Sequence, residues 1–170
     1  MTISMYDASV PVFKQMLGSL SALLDKAEAH AAEKKIDVDA LLHARLFPDM
    51  FPLTRQIMIA ADFAKGACAR LAGMEVPKYD DTERTFTELK ARLHKTIAFI
   101  DSIDAASIDG SEARQITTSS GPNSKTFVGQ TYLLHYAIPQ FFFHATTAYA
   151  ILRHNGVEVG KRDFMGAVPA

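Results

Sequence analysis

The pattern of apolar and polar positions divides the chain into four long helical stretches, a hairpin and short connectors. The longest and most apolar stretch is Gln130–Gly156, QTYLLHYAIPQFFFHATTAYAILRHNG. On a helical wheel of about 100° per residue, Leu133, Ala137, Gln140, Thr147, Ala148 and Ile151 fall within roughly 60° of His144. Gln140 and His144 lie four apart, so both project toward whatever the helix buries. His135, Phe142 and Tyr149 hold the opposite side, with Phe141 and Ile138 between, and few faces suit water. An internal helix, or one covered by a second subunit, is expected. Pro139 removes the hydrogen bond to the His135 carbonyl, which predicts a kink and a free backbone acceptor beside Gln140.

Upstream, Thr2–Lys34 reads as the first helix, with Phe13, Met16, Leu17, Leu20, Leu24 and Ala27 as its stripe. Two starts fit. Ser4 can cap it with Asp7 in the first turn, at the cost of a kink at Pro11, or it begins at Ser9 with Pro11 in the first turn. Ile36–Leu53 is a connector in which Asp37 can cap a short helix, Val38–Arg45. A second long helix runs from Pro52 to about Ala72, with Gly73 as its C′ residue. Its stripe is Gln56, Ile59, Ala60, Phe63 and Ala67, while Asp62 and Lys65 fall away from it. Gln56 is the polar exception on that apolar face.

Asp80 with Glu83 resembles a capping pair opening a third helix to about Ile103. Phe86, Leu89, Leu93, Ile97 and Ile100 form its stripe, with His94 at the solvent edge. Between Asp104 and Gly129 the helical period is lost. Ala113–Ser119 and Ser124–Val128, around Gly121-Pro122-Asn123, predict a small two-stranded hairpin. The tail from Val157 carries Phe164 and Met165, expected to fold back on the bundle end. Arg153, Lys161 and Arg162 suit the negative pole of the fourth helix.

Composition narrows the function classes. The 170 residues make one domain, 1–170, large enough for a real core, and 48% apolar with 22% charged residues belongs to a folded chain. Eighteen basic residues against nineteen acidic give a charge of -1, so nothing favours a nucleic-acid partner. Residues 131–152 come closest to a membrane span, but glutamine, two histidines, threonines and a proline interrupt them, and no membrane is expected. The single cysteine, Cys68, excludes an intramolecular disulfide framework and fits a reducing cytoplasm. It falls in an alanine-rich helical run and reads as a small buried residue.

Metal chemistry needs several lone-pair donors converging on one point. His135 and His144 face opposite ways. His154 lies about 80° round the helix from His144 and roughly 15 Å along it, so the three cannot share a site on a straight helix. There is no HExxH, no CxxC and no Gly-x-Ser-x-Gly elbow. The inward polar set is Gln56 from the second helix with Gln140 and His144 from the fourth. It reads either as a satisfied buried network or ligand-recognition patch, or as a weak metal site completed by water, substrate or a loop carboxylate such as Asp49. His144 is also the candidate catalytic base.

PDMFPLTRQI at Pro48–Ile57, AKGACARLAG at Ala64–Gly73 and above all FHATTAYAILRHNGVEVGKRDFMG at Phe143–Gly166 resemble the DUF1993 family, within the metalloenzyme-like DinB/YfiT superfamily. The likeness runs over nearly the whole chain. It implies an all-α, up-down-down-up four-helix bundle, with a small hairpin or irregular segment between helices 3 and 4, and a homodimer. It also implies a site of three histidines for a divalent metal, one from the second helix and two, four apart, from the fourth. His144 matches the second of that pair, Gln140 stands in place of the first, and Gln56 matches the second-helix histidine.

Three functions follow. The leading one is a small-molecule-binding or degenerate metalloenzyme-like bundle with a core cleft at Gln56, Gln140 and His144 and no assured cofactor. The enzyme alternative is a hydrolase or thiol-dependent transferase using His144, with a divalent metal (Zn, Ni or Mn) on His144, Gln56 and Gln140. The third is a structural or oligomerisation protein whose polar trio specifies packing. Whether the chain is an enzyme is left open.

Overall fold

The computed structural model describes residues 3–120 and 123–168. Helix α1 spans Val10–Lys34, with Ser9 at its N-cap and Pro11 in its first turn. The later of the two starts is therefore the one adopted, since proline there gives up an N–H that has no intrahelical partner anyway. Ser9 does not cap with its hydroxyl, which instead donates to the Met5 carbonyl at 2.7 Å. Lys35 closes the helix in the left-handed region, at φ 56°.

A short α2, Val38–Leu42, follows, its first turn capped by the Asp37 carboxylate accepting from the Asp39 N–H. It stops three residues before the expected Arg45. The second long helix, α3, covers Leu53–Leu71, and Gly73 beyond it has φ +71°.

The third long helix, α4, is Phe86–Asp101, and here the expected start fails. The capping box is Thr85 with Glu88, five residues later than the Asp80–Glu83 pair. Glu83 is drawn instead to Arg92, whose guanidinium is sealed in the fold and also pairs with Asp62 and Asp81 at 2.9–3.0 Å. An unpaired buried arginine would be costly, so the segment before α4 stays non-helical and brings carboxylates to it. Lys65, off the Gln56 stripe, also turns inward on this side of α3. It is buried at the α3–α4 junction, paired with Asp62 at 2.8 Å, with its ammonium 3.7 Å from the centre of the Tyr79 ring. The apolar stem of lysine is what permits that burial.

After the short α5, Ala105–Ile108, strands β1, Gln115–Ser120, and β2, Asn123–Val128, pair antiparallel with Gln115 opposite Val128 and Thr117 opposite Thr126. The hairpin is thus present, one or two residues shifted at its ends. Gly121 and Pro122 of its expected turn lie outside the described residues.

The fourth long stretch is not one uniform helix. α6, Gly129–Tyr132, runs into a single π turn at Leu133–Ala137 and then into α7, Ile138–His154. The Ile138 N–H reaches back five residues to the Leu133 carbonyl. This is the structural answer to Pro139. Adding a residue to the turn relieves the clash proline otherwise makes with the carbonyl four residues back, and a π turn stands where a kink was expected. Finally α8, Lys161–Met165, folds back onto α1, and Phe164 meets Tyr149 edge-on at 5.5 Å.

Side-chain pairs fix the helix directions. α1 is antiparallel to α4, since Lys14 meets Asp101, Ser21 meets His94, and Lys90 meets Asp25 and Glu28. α3 is antiparallel to α7 and the turns before it, through Gln56 with His144, Phe63 with Tyr136, and Arg70 with Tyr132. α3 runs parallel to α4, as Arg55 with Asp81 and Asp62 with Arg92 require. The result is an up-down-down-up bundle with a hairpin between its third and fourth helices. Phe13, Leu17, Leu20, Leu53, Ile57, Phe86, Leu93 and Phe141 fill its centre, with Phe13 and Phe141 edge to face at 5.0 Å. No helix among the described residues is long and apolar enough to cross a membrane.

Candidate functional site

The apolar faces of α3 and α7 meet along their length, and each carries the polar exception noted in the sequence. Gln56, one turn into α3, and His144, in the middle of α7, are both buried. His144 Nδ1 lies 2.7 Å from Gln56 Oε1. The other end of the amide is committed as well, because Gln56 Nε2 donates to the Phe51 carbonyl at 3.1 Å.

That second bond settles the protonation pattern. A carbonyl can only accept, so the nitrogen end of the amide faces Phe51 and the oxygen end faces the imidazole. Nδ1 therefore carries the proton and donates, and Nε2 is left with a lone pair. Burial first, and the positive charge of Arg55 second, push the His144 imidazole below its ordinary value of 6.5. The ring is neutral at pH 7.

Nε2 has no hydrogen-bond partner among the described residues. It is also not sealed in, since the fully buried side-chain atoms without partners among the described residues are Arg92 Nε, Thr96 Oγ1 and Ser111 Oγ. His144 as a whole is 8% exposed, so what access it has includes this atom. Around the ring, Phe63 stacks at 5.9 Å with planes 15° apart, and Phe143 stands perpendicular at 5.1 Å. Phe63 leads on to Tyr136 at 6.1 Å. Phe143 is itself 58% exposed and Phe51 54%.

Gln140 lies one turn before His144 on α7 and is half-buried. It makes no hydrogen bond to Gln56 or His144 among the described residues, so two members of the expected trio are joined and the third stands beside them. Neither Phe51 nor Arg55 was legible as part of this site. Phe51 contributes a backbone carbonyl, on which side-chain pattern is silent. Arg55 acts by charge from a half-buried position beside Gln56. Phe63 could have been found, since it follows Gln56 by seven residues on the same face.

The same geometry tests a metal. Gln56 Oε1 and Nε2 are both engaged, which leaves His144 Nε2 and the Gln140 amide as donors, with no thiolate or carboxylate. Two neutral donors fall short of the three or four protein ligands a zinc-like site uses. Asp49, considered as a supplement, is exposed in the connector, and no group of three or more His, Cys, Asp or Glu side chains able to hold an ion occurs among the described residues. These residues do not fit a divalent metal. What they offer is one hydrogen-bond-accepting nitrogen in an aromatic surround. Three surface cavities of about 370, 380 and 420 Å³ lie elsewhere and are not lined by Gln56, Gln140 or His144.

Comparison with known proteins agrees with this architecture. The chain is similar to a DinB family member protein from Shewanella denitrificans, solved by crystallography, with 45% sequence identity and a TM-score of 0.89 over 97% of this chain and 93% of that one. No curated protein matches. The family model described as a domain of unknown function, DUF1993, matches residues 5–165. The chain belongs to the DUF1993 family, on a DinB-like bundle.

Proposed function

We propose that this protein is a small-molecule-binding bundle built on a metalloenzyme-like scaffold whose metal-ligating positions have been given over to recognition. The observation that carries this reading is the Gln56–His144 bridge, which locks the imidazole in one tautomer and leaves Nε2 as an acceptor with no partner among the described residues. A network serving packing alone has no need to leave its one accessible nitrogen free. Gln140, on the same face one turn away, supplies a second polar contact. Zinc, nickel or manganese at Gln56, Gln140 and His144 is disfavoured by the donor set. The reading includes a homodimer, supported by exposed Phe47 and Leu134, and a cytoplasmic setting, supported by the reduced Cys68.

A second reading draws on the same atom. A neutral imidazole with a free Nε2 is also a general base, so a metal-free hydrolase or transferase using His144 shares this geometry.

The test is elemental analysis of tag-free protein purified without chelators, before and after incubation with zinc, nickel and manganese. The expected stoichiometry is near zero per subunit. A value near one that is lost in His144→Ala would overturn the metal-free reading and send the search to metal-dependent hydrolase and thiol-transferase chemistry.

A further inference from the structure

The site's hydrogen-bonding polarity specifies its ligand more narrowly than "small molecule". Gln56 is held by a carbonyl on one side and holds an N–H on the other, so the polarity of the chain Phe51 carbonyl, Gln56 amide, His144 imidazole runs in one direction only. It ends at Nε2 as an acceptor. A ligand group meeting that atom has to donate. A carboxylate or phosphate oxygen would place its lone pairs against the nitrogen's own, and its binding would first require protonating an imidazole that is mostly buried. An ammonium could donate, but would set a second positive charge near Arg55, whose charge already acts on this ring, and would lose hydration at a mostly buried atom. A neutral O–H or N–H meets neither obstacle.

The surroundings speak to the rest of the molecule. Phe63 lies parallel to the imidazole and Phe143 perpendicular to it, the two arrangements by which flat rings associate. Phe143 and Phe51 turn large apolar areas outward beside the Gln56–His144 bridge although water surrounds them. An apolar ring seated there covers both while directing one polar hydrogen inward. Gln140, with both a donor and an acceptor, tolerates a polar substituent on the ring.

We infer that the ligand of this site is a neutral, flat aromatic compound carrying a weakly acidic ring hydroxyl or ring N–H, a phenol or an N–H heterocycle, which donates to His144 Nε2. This rests on the small-molecule reading above and makes it specific.

The experiment uses three probes of one shape: 4-cyanophenol, its methyl ether 4-cyanoanisole, and 4-cyanobenzoate. Binding to the whole protein is followed by ligand-observed NMR and by the imidazole ¹⁵N signals of His144. The phenol is expected to bind about tenfold or more tighter than the ether, as the loss of one hydrogen bond to a mostly buried group implies. It should move the Nε2 resonance from its pyridine-like position, and it should fail to bind His144→Ala. Equal binding of phenol and ether, or a preference for the benzoate, would overturn the donor rule while leaving the small-molecule site standing. Binding of none of the three at millimolar concentration would overturn both. The unliganded ¹⁵N spectrum gives a check that needs no variant and no ligand: a proton on Nε2 rather than Nδ1 would overturn the inference outright.

Discussion

The carbonyl oxygen of Ser111 occupies the place where a side chain at position 129 would begin: a Cβ on Gly129 would lie 2.0 Å from it. The segment leaving β2 thus crosses the one leaving α5 at backbone contact, and the Gln130 N–H bonds the neighbouring Glu112 carbonyl at 3.0 Å. This crossing fixes where the fourth helical stretch starts, and so where the site on α7 ends up.

Gly129→Ala is accordingly expected to destabilise the fold toward the upper end of the range of about 1–3 kcal/mol typical of overpacking, because the obstructing atom is backbone and cannot swing away. Urea unfolding of the two proteins measures it. A change within experimental error would mean the two segments are free to separate.

Protonating His144 should cost stability. Its folded-state value is below its unfolded one, so the unfolded chain binds more protons in the window between them. Stability from this group is full above about pH 6.5 and is lost as pH falls below that. The melting temperature of the wild type should therefore drop more steeply between pH 7 and 5 than that of His144→Gln. Parallel profiles would show that burial and Arg55 do not hold the imidazole neutral. In Arg55→Met the His144 titration, followed by NMR, should move upward, though less than full exposure would move it, since burial is the larger cause.

Arg92 offers a test of the corrected α4 entry. Its guanidinium is sealed while Asp62 and Asp81 stay more than a third exposed and Glu83 much less so. Breaking a fully buried pair costs about 3–5 kcal/mol, and the exposed carboxylates can recover water, so Arg92→Met should cost about 2 kcal/mol. Glu83→Gln should cost less than Arg92→Met but more than Asp81→Asn. Denaturation in guanidinium would not serve, because it screens the charges; urea at low salt would. The reverse ranking of the two carboxylates would place the strength of the cluster at the surface.

Cys68 should be inert in the folded protein. Burial pushes its thiol up to about 12, and the side chain is fully enclosed. Iodoacetamide at pH 8 is expected to leave it unmodified over hours and to label it completely in urea, as mass spectrometry would record. Rapid labelling without denaturant would show that α3 opens locally.

Much of this was legible from residue pattern. The apolar stripes of the four long helices, the late-start option at Ser9, the hairpin and the facing of Gln56 and His144 all follow from periods that backbone geometry imposes. Resemblance supplied the helix directions. What escaped was non-periodic. The Asp80–Glu83 spacing matches a capping box, but so does the spacing of Thr85 and Glu88, and only the distant Arg92 decides between them. The burial of Lys65, off the Gln56 stripe, was not legible, because it depends on the distant Tyr79 ring and on the lysine's own four-carbon stem. In the site itself, Gln56 and His144 could be placed opposite each other by counting, whereas the direction of the hydrogen bonds depends on the Phe51 carbonyl, whose position the connector's path alone determines.

The π turn at Leu133–Ala137 means that the aim of α7 is set by counting rather than by shape. One additional residue threaded into a helix advances everything after it by about 100°. His144 reaches Gln56 on α3 because that extra residue is present upstream, and Pro139 keeps it from being smoothed away. Deleting a single residue there would swing His144 a quarter-turn or more off Gln56 and carry its neighbours into the seam, with the composition of the helix almost unchanged. The identity of the site is thus written in a length, and a chain that gained or lost one residue at that turn would present a different chemistry from the same helix.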